Sequence, residues 1–181
     1  SSPIHSPVYG KVVKISSSVT PGGFLRDSIL IEPGEQNEVI AMSPINFETA
    51  KPDEIIERIK VAGIVGQGGA AFPTFVKLSP PKDKKIDFVI LNGCECEPYL
   101  TRDFRFMIER PDDVVAGLRI IMKAIGVDKG AIGVEDNKPE AINKLNVAVK
   151  NYSNISVVKL KTKYPQGAEK MLINAVAGRE V

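Results

Sequence analysis

Residues 63–78 read GIVGQGGAAFPTFVKL and carry residue types that bind an anion through the backbone. Glycine exposes backbone N–H groups and permits unusual φ angles, so a glycine-rich loop can wrap a phosphate. A helix that begins near Phe72, Pro73 and Thr74 would add its free N–H groups to the site. Lys77 lies one turn beyond and can reach the same phosphate. We therefore predict a phosphate site, with a tight turn between two packed elements as the alternative.

This loop does not match two common nucleotide-binding motifs. The G-x-G-x-x-G dinucleotide fingerprint follows a strand, whereas this loop follows a predicted helix. The P-loop motif requires a Gly-Lys-Ser/Thr sequence, and none follows at the right distance. The predicted phosphate site is therefore of a different kind from both of these motifs.

The segment NGCECEP, which begins at Asn92, places amide, carboxylate and thiol groups at the end of a predicted parallel strand. In open α/β sheets, ligands bind at this edge. Asn92, Glu95 and Glu97 can offer hydrogen bonds to a polar ring or a ribose. On a plain strand the two glutamates would point to one face, where a structural role would need a cation, such as Arg102 or Arg105, between them.

The two cysteines, Cys94 and Cys96, predict neither a disulfide nor a metal site. At i and i+2 on a strand they would share a face, too far apart for an unstrained disulfide. Two thiolates do not complete a zinc or iron–sulfur site, and the only histidine, His5, is distant in sequence. No basic residue nearby would activate either thiol, so we expect free structural thiols in a reducing, intracellular setting.

The elements that position these groups are predicted from hydrophobic patterning. From residue 86 onward apolar strands alternate with helices, which is typical of an α/β fold with a parallel sheet flanked by helices. The predicted strands are 86–93, 130–136 and 155–161, and the predicted helices are 52–64, 110–126, 138–152 and 167–178. Residues 1–36 predict a partial all-β module and residues 37–52 a linker, which leaves 53–181 as the α/β domain.

Composition limits the functional class. The 181 residues suffice for one main domain, and 43% hydrophobic with 25% charged residues is ordinary for a globular protein. The 24 basic and 22 acidic residues leave a net charge of +2, which is too balanced to indicate nucleic-acid binding. We find no apolar run of the roughly 20 residues that a membrane helix needs, and no secretory signal pattern.

Taken together, the motifs GxGGAxFPTxxK and NxxExEP resemble the flavin-binding subunit of respiratory complex I, and more closely the C subunit of the Rnf electron-transport complex. The stretches GVEDNKPEAI and YPQGAEKMLINAVAGREV resemble the Rnf protein as well. The opening PIHSPVYGKVVKI resembles the barrel-sandwich module that precedes its flavin domain. The resemblance implies a fragment of a larger protein, with a Rossmann-type domain that binds FMN and NAD(H) and is truncated at its C-terminus. It also implies two [4Fe–4S] clusters in a missing C-terminal domain.

The resemblance further implies the role of individual residues. The implied FMN contacts are Gly66, Gly68, Gly69, Ala70, Lys77, Asn92, Glu95 and Glu97. The implied NADH contacts are Phe72, Glu97 and Glu169. Phe72 would stack near the adenine, with simple core packing as its alternative. The sequence departs from the complex I pattern at Gln67, Pro80, Cys94 and Ala168, each of which removes a charge or a stacking surface.

The function implied by the resemblance is electron transfer between NAD(H), flavin and iron–sulfur clusters, coupled to ion translocation. No side chain need act as a nucleophile, because the flavin carries the chemistry. The implied partners are other subunits of a membrane complex, with ferredoxin reached indirectly, and the implied location is peripheral, on the cytoplasmic face of the cell membrane. The alternative is a flavin-free scaffold, or a quinone-binding subunit of a Na+-translocating NADH:quinone reductase.

Overall fold

A computed structural model describes residues 2–35, 41–67, 70–81 and 83–180. Its strands are β1 Gly10–Val19, β2 Leu25–Pro33, β3 Val89–Asn92, β4 Gly130–Glu135 and β5 Ile155–Leu160. Its helices are α1 Pro52–Val61, α2 Thr74–Lys77, α3 Arg102–Glu109, α4 Pro111–Ile125, α5 Pro139–Ala148 and α6 Glu169–Ala177. All the elements predicted after residue 51 are present, and their ends lie within a few residues of the prediction. Sequence analysis did not predict α3.

The α/β part is built on a three-stranded parallel sheet in the order β3-β4-β5. This confirms the predicted fold class, a parallel sheet flanked by helices. Every residue of the central strand β4 is buried, because β4 has a strand on each side and helices pack against the sheet. Parallel strands joined by crossover helices are covered in this way, which explains their nearly continuous apolar sequences.

Helix α4 links two hydrophobic clusters. Leu118 and Met122 on α4 pack with β4 and α5 in the larger cluster. Ala124, further along the same helix, packs in the smaller cluster with Ile55 and Ile59 of α1. The smaller cluster therefore attaches α1, and the glycine-rich loop that follows α1, to the helix that also supports the sheet.

The N-terminal strands β1 and β2 form a separate antiparallel hairpin that pairs from Gly10 opposite Pro33 to Val19 opposite Leu25, with a shift of register between Val12 and Lys14. Most of its apolar side chains are exposed, including Val12 at 55% and Ile15 at 71%. Within the described residues, no other helix or strand packs extensively against this hairpin.

Candidate functional site

The glycine-rich loop is closed at its base. Val65 and Pro73 form an isolated antiparallel bridge. The Gly66 N–H donates to the Phe72 carbonyl at 2.9 Å, and the Thr74 N–H donates to the Ile64 carbonyl at 3.1 Å. The loop follows α1, as predicted. The hydrogen bonds at its base fix the positions at which the loop backbone leaves and rejoins the domain.

The predicted ligand groups of this loop are accessible. Gly66 and Ala70 are exposed, whereas the predicted residues Gly68 and Gly69 lie outside the described residues. Phe72 is 49% exposed, so the alternative that it packs in the core is wrong. Helix α2 begins at Thr74, where the sequence analysis considered a helix start, but it has only four residues. Lys77 is exposed at its C-terminal end, about one turn beyond the loop.

The second group of predicted residues lies at the carboxyl edge of the parallel sheet. Asn92 ends β3, and its Nδ2 donates to the carbonyl of Gly167 at 2.8 Å. The Gly167 N–H donates in turn to the Cys96 Sγ at 3.0 Å. Two segments that are 75 residues apart in sequence are thereby joined at the edge where α/β proteins bind ligands.

Glu95 and Glu97 lie in the loop after β3 and not on a plain strand, because β3 ends at Asn92. The side chain of Glu95 is only 4% exposed. Its Oε1 accepts the N–H of Asp103 in the first turn of α3 at 2.9 Å, and its Oε2 lies 3.7 Å from the Nζ of Lys138. Glu97 is exposed, and its Oε1 accepts a hydrogen bond from the Tyr164 hydroxyl at 3.4 Å.

The structural alternative, in which Arg102 or Arg105 would lie between these two carboxylates, is wrong. Arg102 pairs with Asp103, and Arg105 pairs with Glu109 one turn along α3. The unpredicted helix α3 is the physical reason, because it directs both arginines to acids on the same helix. The cation that approaches Glu95 is Lys138, whose Nζ also lies 5.0 Å from the centroid of the Phe104 ring.

The two cysteines are free and lie in the same loop. Burial raises the pKa of the Cys94 thiol from 9.0 to about 12, with further contributions from the Glu135 carboxylate and from Cys96. Cys94 is therefore a neutral thiol at physiological pH and a poor nucleophile. Within the described ranges, no group of three or more His, Cys, Asp or Glu side chains is placed to hold a metal ion.

Sequence reasoning missed two acidic residues at this edge. Glu135 ends the central strand and is 2% exposed, close enough to Cys94 to influence its pKa. Asp136 accepts hydrogen bonds from the N–H of Thr162 at 3.0 Å and from its hydroxyl at 2.5 Å, and these bonds lower the pKa of Asp136. They join the loops after β4 and β5. An acid directly after a buried apolar strand was the available signal for both residues.

Residues 59–181 match the family model described as the Nuo51 FMN-binding domain. The chain belongs to this family. The match confirms the resemblance stated from the motifs. It makes the α/β part of the chain a Nuo51-type FMN-binding domain.

Relatives with known names support the same assignment. The chain is 50% identical over 180 residues to the C subunit of the proton-translocating ferredoxin:NAD(+) oxidoreductase complex of Clostridium ljungdahlii, covering 98% of this chain and 39% of the relative. It is 48% identical over 181 residues to the C subunit of the Na(+)-translocating complex of Acetobacterium woodii, covering 99% of this chain and 41% of that relative. The chain thus spans about two fifths of the length of these relatives.

Among solved structures, an NAD+-reducing [NiFe]-hydrogenase in the air-oxidized state is similar to this chain. Its TM-score is 0.63 at 26% identity, covering 71% of this chain and 24% of the hydrogenase chain.

All the predicted FMN and NADH contacts lie within the part of the chain that matches the Nuo51 family. The structure gathers Asn92, Glu95 and Glu97 at the sheet edge, and Glu169 begins α6 shortly after Gly167. The glycine-loop residues form a second group, and no hydrogen bond between described residues joins the two groups. The Nuo51-type domain thus offers backbone amides, an exposed lysine, an amide and carboxylates, which are groups suited to binding and orienting a ligand.

Proposed function

We propose that this chain is the FMN- and nicotinamide-binding module of an ion-translocating ferredoxin:NAD+ oxidoreductase of the Rnf type. The observation that carries the proposal is the match of residues 59–181 to an FMN-binding family, together with about 50% identity to the C subunits of two such complexes. In this proposal the module exchanges electrons between NAD(H) and FMN within a complex that couples the transfer to ion translocation.

The exposed groups of the domain fit FMN. Gly66 and Ala70 are exposed, although the Gly66 N–H is bonded to the Phe72 carbonyl, Lys77 offers a cation for the phosphate, and Phe72 offers a half-exposed aromatic face. FMN held there would supply hydride exchange with NAD(H) and one-electron transfer to iron–sulfur clusters. The side chains bind and orient, and none is required to form a covalent bond with the substrate.

We propose different tasks for the residues at the sheet edge. Asn92 and Glu97 are exposed, so the Asn92 amide can donate and accept hydrogen bonds, and the Glu97 carboxylate can accept them, from the flavin or the nicotinamide side. Glu169, exposed in the first turn of α6, can contact the dinucleotide. Glu95 is buried against α3 and Lys138, and its Oε2 is buried without a hydrogen-bond partner, so its predicted contact with the flavin would require this oxygen to become accessible.

The wider setting is also a proposal. As the motif resemblance implies, residues 1–36 would be part of a barrel-sandwich module, 37–52 a linker and 53–181 the flavin domain. Two [4Fe–4S] clusters would lie in a further domain, other subunits of the complex would be partners, and ferredoxin would be reached indirectly. No described helix has the length and apolarity to cross a membrane. We place the module peripherally on the cytoplasmic face of the membrane.

Titration with FMN tests this proposal. We expect the flavin fluorescence to be quenched as FMN binds the chain, and NADH to bleach the visible absorbance of the bound flavin. A chain that is folded by circular dichroism but leaves FMN fluorescence unchanged would instead support the flavin-free scaffold. Repeating the titration with a quinone would then test the quinone-binding alternative.

A further inference from the structure

Both backbone polar groups of Gly167, its N–H and its carbonyl, are held by residues at the end of β3 and in the loop that follows. The Asn92 Nδ2 donates to its carbonyl at 2.8 Å, and its N–H donates to the Cys96 Sγ at 3.0 Å. The Asn92 Oδ1 accepts the N–H of Cys94 at 3.1 Å, which fixes the orientation of the amide. We call this arrangement of Asn92, Cys96 and Gly167 the Gly167 clip.

The Gly167 clip leaves little room for a side chain at its centre. A Cβ added to Gly167 would lie 3.1 Å from both the Cβ and the carbonyl oxygen of Cys94, and 3.2 Å from the Cys96 Sγ. These contacts are tighter than most Cβ contacts in proteins, so a side chain at position 167 would push the two segments apart by a few tenths of an ångström. Their approach depends on glycine and on the thiol sulfur together.

The clip fixes the start of α6. Gly167 is followed by Ala168, the N-cap residue, and by Glu169, the first residue of the helix. Further along α6, Leu172 is buried and packs close to β4 at Gly133. Packing thus holds the body of the helix, while the clip holds the first turn, which carries Glu169, against the loop that carries Glu97.

We propose that Asn92 and Cys96 are positioning residues that set the loop before α6 and Glu169 in place for the flavin–nicotinamide site. This rests on the proposed function. An amide nitrogen has two hydrogens and an amide oxygen has two lone pairs, so the exposed Asn92 retains one of each for a ligand while it holds Gly167. Cys96 serves as a hydrogen-bond acceptor, which gives a part-buried thiol a role without metal or redox chemistry.

Three variants of the full chain test this assignment. Cys96→Val removes the acceptor while keeping a similar size, and Cys96→Ser restores an acceptor. Thr162→Val is the matched control, because it removes a hydrogen bond to Asp136 that joins two loops at the same edge without touching Gly167. The readouts are the Kd for FMN, the unfolding midpoint, and the hydrogen exchange of the amides of residues 167–170.

We expect Cys96→Val to weaken FMN binding about three- to tenfold, the range for one lost hydrogen bond, and to speed amide exchange at residues 167–170. Cys96→Ser should recover most of both. Thr162→Val should lower the unfolding midpoint while the Kd and the exchange at residues 167–170 stay at the parent values.

The outcomes separate the two proposals. Unchanged exchange at residues 167–170 in Cys96→Val would overturn the clip itself. Equal FMN affinity for the parent and Cys96→Val would overturn only its positioning role. A folded parent that binds no FMN would overturn the proposed function and the positioning role together, even if the exchange data support the clip.

Discussion

The two sheets formed by the described residues use similar residue types in opposite ways. In β4 all six residues are buried, whereas β1 and β2 leave Val12, Ile15 and Ile29 more than half exposed. Branched apolar residues predict a strand in both cases, but burial depends on what covers the strand. Crossover helices cover a parallel sheet on both faces, while a hairpin turn supplies no such cover. The folding free energy therefore resides in the parallel sheet and its helices.

The largest difference is expected for a matched pair of isoleucines. Ile132→Ala, at a fully buried position of β4, should lower the free energy of unfolding by about 2–5 kcal/mol, because it removes buried methyl groups and leaves a cavity. Ile15→Ala, in the exposed hairpin, should cost less than about 0.5 kcal/mol. Urea unfolding measures both. Similar losses for the two variants would mean that the hairpin is covered in solution, contrary to this comparison.

Loss of a polar contact should also cost more stability in the α/β part than in the hairpin. Glu95→Ala leaves Lys138 and the Asp103 N–H without their buried partner, which should cost about 3 kcal/mol, as for other broken buried ion pairs. Asp27→Ala removes a long, exposed 3.4 Å contact with Ser17 in the hairpin and should cost less than about 0.5 kcal/mol. A smaller loss of unfolding free energy for Glu95→Ala than for Asp27→Ala, measured by urea unfolding, would contradict the comparison for polar contacts.

Ligand binding should also distinguish the two regions. Lys77→Ala should weaken FMN binding by about 1–3 kcal/mol, the range for a lost charged hydrogen bond. Lys11→Ala removes another exposed cation, this one from the hairpin, and should leave the Kd for FMN unchanged. Fluorescence titration measures the Kd for FMN of both variants. An affinity of Lys77→Ala equal to that of the parent would exclude the phosphate role.

A charge-neutral change sharpens the comparison within the flavin domain. Glu97→Gln should slow NADH-dependent flavin reduction about tenfold, or about 1.4 kcal/mol, with little change in the unfolding midpoint, because the side chain is exposed. Stopped-flow absorbance gives the rate. A variant that loses thermal stability while reducing flavin at the parent rate would make Glu97 a structural residue.

The smallest effect concerns pH. The pKa of Cys94 is raised to about 12 in the folded chain, so the folded state keeps this proton after the unfolded state loses it near pH 9. Stability from this group is therefore complete below about pH 9 and falls as the pH rises toward 12. Between about pH 7.5 and 10.5, Cys94→Ser should lose less stability than the parent in urea unfolding. Parallel pH profiles would contradict the raised pKa.

The parallel sheet could be predicted because its strands are apolar runs bounded by clear helix starts and stops. Helix α3 was missed although Phe104, Met107 and Ile108 follow helical spacing, because it lies between two conspicuous motifs. Local patterns also placed Asn92 at the sheet edge.

The long-range partners of the sheet-edge side chains could not be predicted from local patterns. The contact between Asn92 and Gly167 spans 75 residues, and the choice of Lys138 over Arg102 for Glu95 depends on where β3 ends and α3 begins. Neither contact can be inferred from the local hydrophobic pattern. The partners of a side chain at a sheet edge follow from how three separate loops meet there.

Helix α4 supports both halves of the proposed site. The cluster next to the glycine-rich loop and the cluster beneath the sheet both include residues of α4, which has 15 residues and a length of about 22 Å. A change in the packing of α4 is therefore expected to move one half of the site relative to the other, even when every residue of the two halves is unchanged.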